Sequence, residues 1–339
     1  MRRADIGCGG RARRIAVRSR IRPQDRDHRV LVVVSIALPV FGLILTGALA
    51  ARYRLLGREV TGGLNQFVVY LALPAVLFQA MAHIQPAHLA NGGLLAAFGL
   101  GIAIPFMLSM LLSWRRSTPL GNTALQALSA TFCNTGYMGI PLCRMAFGDD
   151  SLVPGVITMV ITACPQFGVA IALLETDRAG APGFRRIVLR VGRALATNPL
   201  LLAPVAGLAL AMADLELPLA ADRFLTLMGG AATPCALVAT GLMLGETTER
   251  FQPGLVTRLV VLKLFVQPAV VWVLAFHVFT LPPLWAETAV LMAAMPTGAG
   301  AFILARLYGR EAASTSGTIL VSTVLSFATL SVLLIFLAP

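Results

Sequence analysis

Cys133-Asn134-Thr135-Gly136-Tyr137-Met138-Gly139-Ile140-Pro141 sets an amide, a hydroxyl, two glycines and a proline in the middle of an apolar run over 122–147. A run of that length crosses a bilayer, because a helix needs about 20 mainly apolar residues to span about 30 Å of hydrocarbon. Glycine and proline weaken the i to i−4 ladder, and backbone groups released in lipid are costly unless they line a cavity or meet a partner. The stretch therefore reads as a broken transmembrane helix. Met295-Pro296-Thr297-Gly298-Ala299-Gly300 repeats this chemistry inside a second apolar run, 286–307. If the two runs occupy equivalent places in two inverted halves, their breaks cross near the midplane. The half-helix N-termini then present amide hydrogens and partial positive charge, a site suited to an anion. The competing reading is that the glycines let helices pack closely.

The composition agrees with a membrane protein. Of 339 residues 57% are apolar and 12% charged, against about 25% charged in soluble chains. Too little polar surface remains to cover a water-facing globule, which argues against ordinary soluble enzymes and transcription factors. The net charge of +12 raises nucleic-acid binding as an alternative, and the distribution of charge answers it. Residues 1–30 hold ten arginines and three aspartates, so the basic character is mostly a tail. Five cysteines without a CxxC pair and four scattered histidines support neither a metal cluster nor a disulfide framework, and no cofactor is expected.

Ten runs satisfy the length criterion: 32–51, 64–82, 93–114, 122–147, 153–175, 195–213, 224–245, 256–279, 286–307 and 315–337. The odd-numbered links with the span ends beside them carry fourteen arginines, Arg258, Arg306 and Arg310 among them, and the even-numbered links with theirs only Arg144 and Arg223. By the positive-inside rule the arginine-rich side is cytoplasmic, and both termini face outward. The tail contradicts this orientation. An upstream start of translation, with the true beginning near Val30–Val34, is the favoured reading; a surface-binding arm and a miscounted span compete with it. The chain thus divides into a basic tail (1–31), a first half (32–175), a basic linker (176–194) and a second half (195–337).

Prolines relate the halves. Pro39 and Pro199 lie 160 residues apart, as do Pro74 and Pro234; Pro105 and Pro268 lie 163 apart, and Pro141 and Pro296 155. Five spans per half is an odd number, so the second half enters the membrane upside down relative to the first, as in the inverted repeats of secondary transporters.

Lys263 lies about seven residues into the eighth span, with Gln267 and Pro268 following. A charge at the helix centre costs at least ~2.5 kcal/mol, so Lys263 needs a cavity or a partner. It can serve as a counter-charge for an anion, or donate to carbonyls freed in the broken ninth span. It can also snorkel to the interface, since seven residues rise only ~10 Å. No Asp or Glu lies in the middle of any span. Uncharged polar groups (Asn134, Thr135, Gln166, Gln267, Thr297) with one cation suit a carboxylate-bearing substrate better than a cation. The paired acidic motifs of a prenyl-transfer enzyme and the glycine-flanked serine with a membrane histidine of a protease are missing, which argues against an intramembrane enzyme. A channel is the remaining rival.

These residues resemble the auxin efflux carrier family of transporters, including its bacterial malonate-carrier-like members and, more distantly, the plant PIN carriers. The resemblance covers about 32–337 and is most specific over Asn134-Thr135-Gly136-Tyr137-Met138-Gly139-Ile140-Pro141-Leu142. Leu73-Pro74-Ala75-Val76-Leu77-Phe78, Thr197-Asn198-Pro199-Leu200, Pro234-Cys235-Ala236-Leu237 and Ser322-Thr323-Val324-Leu325 support it in order along the chain. It implies an all-α fold of ten helices similar to sodium/proton antiporters, with spans 1, 2, 6 and 7 as a scaffold. The remaining spans would move as an elevator, with helices 4 and 9 broken and crossing. The implied activity is secondary transport of a small organic anion, a mono- or dicarboxylate such as malonate, across the inner membrane. The substrate-binding set is then Asn134, Thr135, Gly136, Gly139, Pro141, Pro296, Thr297, Gly298 and Gly300, with Lys263 and Gln267. Many relatives carry an asparagine where this chain has Gly300 or Ala301, which weakens the contact from the ninth span. Partners are expected to be the anion, the bilayer and a second copy through the scaffold helices, with no nucleic acid.

Overall fold

The computed structural model describes residues 23–83, 92–114, 118–179, 189, 192, 196–197, 199–245 and 251–337, with side chains from Leu38 onward except at 58, 178 and 179. The start of the basic tail, most of the linker and Asn198 lie outside the described residues. Among the described residues the chain is helical, and its one β-type pairing is an isolated antiparallel bridge between Cys133 and Thr297. In chain order the helices are α1 (Pro23–Arg52), α2 (Arg58–Phe67, continued through a π-type turn Val68–Ala72 into Leu73–Ala82) and α3 (Gly92–Trp114). The fourth expected span is split into α4 (Leu120–Ser129) and α5 (a π-type turn Thr135–Gly139, then Ile140–Phe147). After it come α6 (Leu152–Ile161, Thr162–Gln166, Phe167–Ala179), α7 (Pro199–Met212), and α8 (Leu219–Gly230) running into α9 (Ala232–Gly245). Then α10 (Pro253–Val261 through Leu274–Val278), the split ninth span α11 (Pro283–Ala293) and α12 (Ala299–Tyr308), and finally α13 (Ala312–Leu337).

By length and composition six continuous helices can cross a membrane: α2, α3, α6, α8 with α9, α10 and α13. Of the other four expected spans, the fourth and ninth are interrupted, and the first and sixth contribute the apolar helices Leu38–Arg52 and Pro199–Met212. Large apolar side chains such as Leu45, Tyr70, Leu100, Met107, Phe265 and Phe336 are exposed, as a lipid-facing surface requires.

Two glycines show how the first, second, sixth and seventh spans meet. A Cβ on Gly47 of α1 would lie 2.2 Å from the carbonyl oxygen of Val238 in α9, and one on Gly207 of α7 would lie 2.3 Å from that of Phe78 in α2. Only hydrogen at these positions lets the backbones approach so closely. The two contacts are reciprocal: Gly207 lies 160 positions beyond Gly47, and Val238 lies 160 positions beyond Phe78.

The remaining helices pack into a second group, α3 on α4 and α10, α4 on α6, α10 on α11 and α13. Phe98, Leu125, Leu128, Met138, Leu142 and Met292 are fully buried. At the arginine-rich end this group is tied by polar contacts. Arg258 donates from Nη2 to Ser113 Oγ (3.0 Å) and Gln126 Oε1 (2.9 Å), and Gln126 Nε2 donates to Glu311 Oε1 (3.2 Å). Arg310 pairs with Asp177, and Tyr308 donates to Glu175 Oε1 (2.8 Å). Arg258 and Arg310, counted above as orientation signals, therefore also tie helix ends together.

Candidate functional site

The two interruptions match residue by residue, each position of the second lying 164 beyond the first. α4 ends at Ser129 and the chain is non-helical through Asn134; α11 ends at Ala293 and the chain is non-helical through Gly298. The two extended segments lie antiparallel. Asn134 N–H donates to Pro296 O (2.8 Å), and Gly298 N–H donates to Phe132 O (2.9 Å). The sequence expectation put the break within Cys133–Pro141 and paired Pro141 with Pro296. The break instead precedes the glycines, and Pro296 sits in the bridge while Pro141 opens the next α-helical segment. The reason is local: the π-type turn Thr135–Gly139 changes the ladder spacing just before Pro141, so its missing N–H falls at a junction.

What holds a break inside a protein is a supply of donors for the freed carbonyls. Thr297 Oγ1 donates to Ser129 O (2.8 Å), closing the end of α4. Lys263, fully buried, donates to Ala293 O (2.7 Å), closing the end of α11, and to Gln267 Oε1 (2.8 Å). Gln267 Nε2 in turn donates to Thr131 O (3.0 Å). Of the readings open for Lys263, donation to carbonyls freed in the ninth span is the one its contacts match. Its Nζ thus meets the negative dipole end of α11.

The starts of α5 and α12 face a cavity of about 60 Å³ lined by Asn134, Tyr137, Thr297, Ala299 and Phe302 from the broken spans, by Thr240, Met243 and Leu244 of α9, and by Ser316 and Ile319 of α13. Asn134 and Thr297 are the two sequence-derived site residues that line it. Thr135 is buried at the first turn of α5. The side chain of Asn134 makes no hydrogen bond to the described residues, so its amide is available to a ligand. Gly139 packs where a Cβ would lie 2.4 Å from Met292 Sδ, Gly298 and Gly300 pack against the Phe132 ring, and a Cβ on Gly136 would make ordinary contact with Met159. Gly136, Gly139, Pro141, Pro296, Gly298, Gly300, Lys263 and Gln267 surround the crossing without lining the cavity.

Residues that sequence reasoning did not assign complete the wall. Tyr137, inside the quoted motif, donates to Asn65 Oδ1 of α2, joining the crossing to the helix pair of the first group. Ser316 belongs to the hydroxyl-rich opening of α13, Ser314-Thr315-Ser316, a visible polar run in an apolar span. Thr297 N–H donates to Ser322 Oγ (3.1 Å) further along the same helix.

A larger cavity of about 980 Å³ opens at the arginine-poor end, among Gln79, His83, Arg144, Asp149, Thr226 and Trp285. Arg144 donates to Asp149 Oδ1 (2.6 Å) at its edge. No cluster of three or more metal-binding side chains occurs among the described residues, and Cys133, Cys143, Cys164 and Cys235 are free thiols.

The family described as "Membrane transport protein" matches residues 32–334, nearly the whole apolar part of the chain. The chain belongs to the auxin efflux carrier family. A family member from Rhizobium meliloti (strain 1021), named "Putative malonate transporter", is 31% identical over 89% of this chain and 95% of its own. An "Uncharacterized transporter" of Methanothermobacter thermautotrophicus is 24% identical over 86% of this chain and 94% of its own. "Auxin efflux carrier component 5" of Arabidopsis thaliana is 23% identical over 83% of this chain and 89% of its own. The match spans both broken helices and both helix groups, so the crossing belongs to the shared domain.

Proposed function

We propose that this membrane transport protein is a secondary carrier of a small organic anion, a mono- or dicarboxylate, built from two inverted five-helix repeats of ten spans. The observation that carries the reading is the antiparallel crossing of Cys133 and Thr297 beside a cavity holding the free amide of Asn134. The crossing sums favourable terms for a carboxylate: two electropositive helix starts, an amide and hydroxyls, with no carboxylate among the lining residues. Malonate is the first compound to test, from the name of the Rhizobium relative.

The 160-residue relation between the Gly47–Val238 and Gly207–Phe78 contacts supports the repeat. The two packing groups support a division into a scaffold (spans 1, 2, 6 and 7) and a mobile body that moves as an elevator. The arginines of the links support both termini facing outward, and the resemblance supports an inner membrane and a homodimer through the scaffold helices. The deciding measurement is uptake of radiolabelled carboxylates into proteoliposomes, with and without a proton gradient. Saturable uptake with acceleration by substrate on the opposite side is the expected result; flux without saturation or countertransport would indicate a channel.

A further inference from the structure

No charged side chain lines the crossing cavity, and Tyr137 is the one titratable residue among those that do. Among the described residues the buried charged side chains are Lys263, which does not reach the cavity wall, and Glu175, which accepts from Tyr308 at the arginine-rich end. The field at the crossing therefore comes from helix ends and Lys263. Each helix end carries about half an elementary charge, positive at an N-terminus and negative at a C-terminus. The ends of α4 and α11 together contribute about −1. Lys263 offsets them, directly at Ala293 O and through Gln267 at Thr131 O. The starts of α5 and α12 remain, and on the side of the cavity they contribute about +1. That balances one carboxylate and leaves a second without a counter-charge.

The hydroxyls of the wall set the same limit independently. Tyr137 Oη donates to Asn65 Oδ1, Thr240 Oγ1 to Ala236 O (2.9 Å) and Thr297 Oγ1 to Ser129 O (2.8 Å). With their hydrogens directed elsewhere, these three oxygens offer the cavity lone pairs only. The Asn134 amide, 8% exposed and hydrogen-bonded to none of the described residues, offers both N–H groups and an oxygen. A dicarboxylate dianion only accepts, so it would set its oxygens against those lone pairs. An occupant that is anionic at one end and donates at the other meets both sets of partners.

We propose that the carrier moves its substrate as a singly charged acid with a hydrogen-bond donor at its far end, and that a dicarboxylate travels half-protonated. This rests on the crossing being the substrate site. An ionised carboxylate buried without a partner is so costly that the group takes up a proton instead. One carboxyl of the diacid binds that proton from the water at the face of entry and releases it at the face of exit. One proton and one dianion thus cross together as a monoanion. The proton rides on the substrate, and the protein needs no carboxylate of its own in the middle of a span, where the sequence has none.

The test measures half-saturation concentrations for uptake by the full-length protein in proteoliposomes, with uptake by protein-free liposomes subtracted. Malonate is compared with malonamate, the same skeleton held at one negative charge, across the pH range in which malonate loses its second proton. Malonamate is also the reference for any titration of the protein. The ratio of the malonate to the malonamate value should rise about tenfold for each pH unit above that second ionisation. A second pair, 3-hydroxypropionate and butyrate, sets a hydroxyl against a methyl group. The hydroxy acid should half-saturate at a concentration about two- to tenfold lower, the effect of one neutral hydrogen bond. A malonate ratio that stays flat or falls as pH rises, uptake of malonate without malonamate, or butyrate handled as well as 3-hydroxypropionate would overturn the proposal and leave the carrier reading standing. Saturable uptake of none of the four would overturn both.

Discussion

Lys263 Nζ lies 2.7 Å from the carbonyl oxygen of Ala293, so the single lysine of the chain closes the end of a half-helix in the interior of the protein. The ammonium is fully buried and also donates to Gln267 Oε1. Lys263→Met keeps the apolar stem but leaves both acceptors without that donor. The expected loss of stability is about 1–3 kcal/mol, the range for an unsatisfied buried acceptor, tempered by the modest strength of interhelical hydrogen bonds in membranes. Thermal unfolding in detergent measures it. Gln267→Leu should cost at least as much, because it leaves the charged amine with one acceptor fewer and Thr131 O without its side-chain donor. The double variant should fall short of the sum of the two.

Asn134→Ala should abolish saturable uptake while leaving the melting temperature near that of the parent protein. The side chain is spent on no hydrogen bond among the described residues, and its backbone N–H, which holds the bridge to Pro296, survives the substitution. Unchanged transport by folded Asn134→Ala protein would remove the site from the crossing.

The general plan was legible in the sequence, because apolar run length and mid-membrane Asn, Gly and Pro are local signals. That Lys263 needs a cavity or a partner was readable for the same reason, but donation to freed carbonyls was only one of the roles the sequence left open. The exact position of the break was less legible. Where a helix ends inside a bilayer depends on which carbonyls find donors, and here Thr297 and Gln267 serve Ser129 and Thr131 from more than a hundred residues away, while Lys263 serves Ala293. Proline spacing paired Pro141 with Pro296 at 155 residues, whereas the two sides of the crossing are related by 164. The Tyr137–Asn65 contact has no local signature at all.

That contact carries the third prediction. Tyr137 belongs to the crossing and Asn65 to α2 of the other helix group, so the proposed motion of one group past the other would break their hydrogen bond. Tyr137→Phe should shift the population away from the conformation seen here by up to about tenfold, the worth of one ordinary hydrogen bond. The expected kinetic signature is a changed maximal exchange rate, matched by Asn65→Ala, with the double variant no more severe than either alone. Independent, additive effects would show that the two residues act separately.

The last prediction tests the repeat through packing. Gly47 and Gly207 meet the carbonyl oxygens of Val238 and Phe78 at nearly the same distance, and the two contacts are related by 160 residues at both partners. A methyl group at either place would overlap a main-chain oxygen, and backbone in a packed helix pair has little room to yield. Overpacking of this kind costs about 1–3 kcal/mol, and two contacts related by a repeat should pay it equally. Gly47→Ala and Gly207→Ala should therefore lower the unfolding temperature by similar amounts. Gly42→Ala, on the same helix as Gly47 but with nothing within 4 Å of its Cβ, should leave it unchanged or raise it. A large penalty at one glycine and none at the other would mean that the two halves pack by different rules, and the inverted repeat would lose its main structural support.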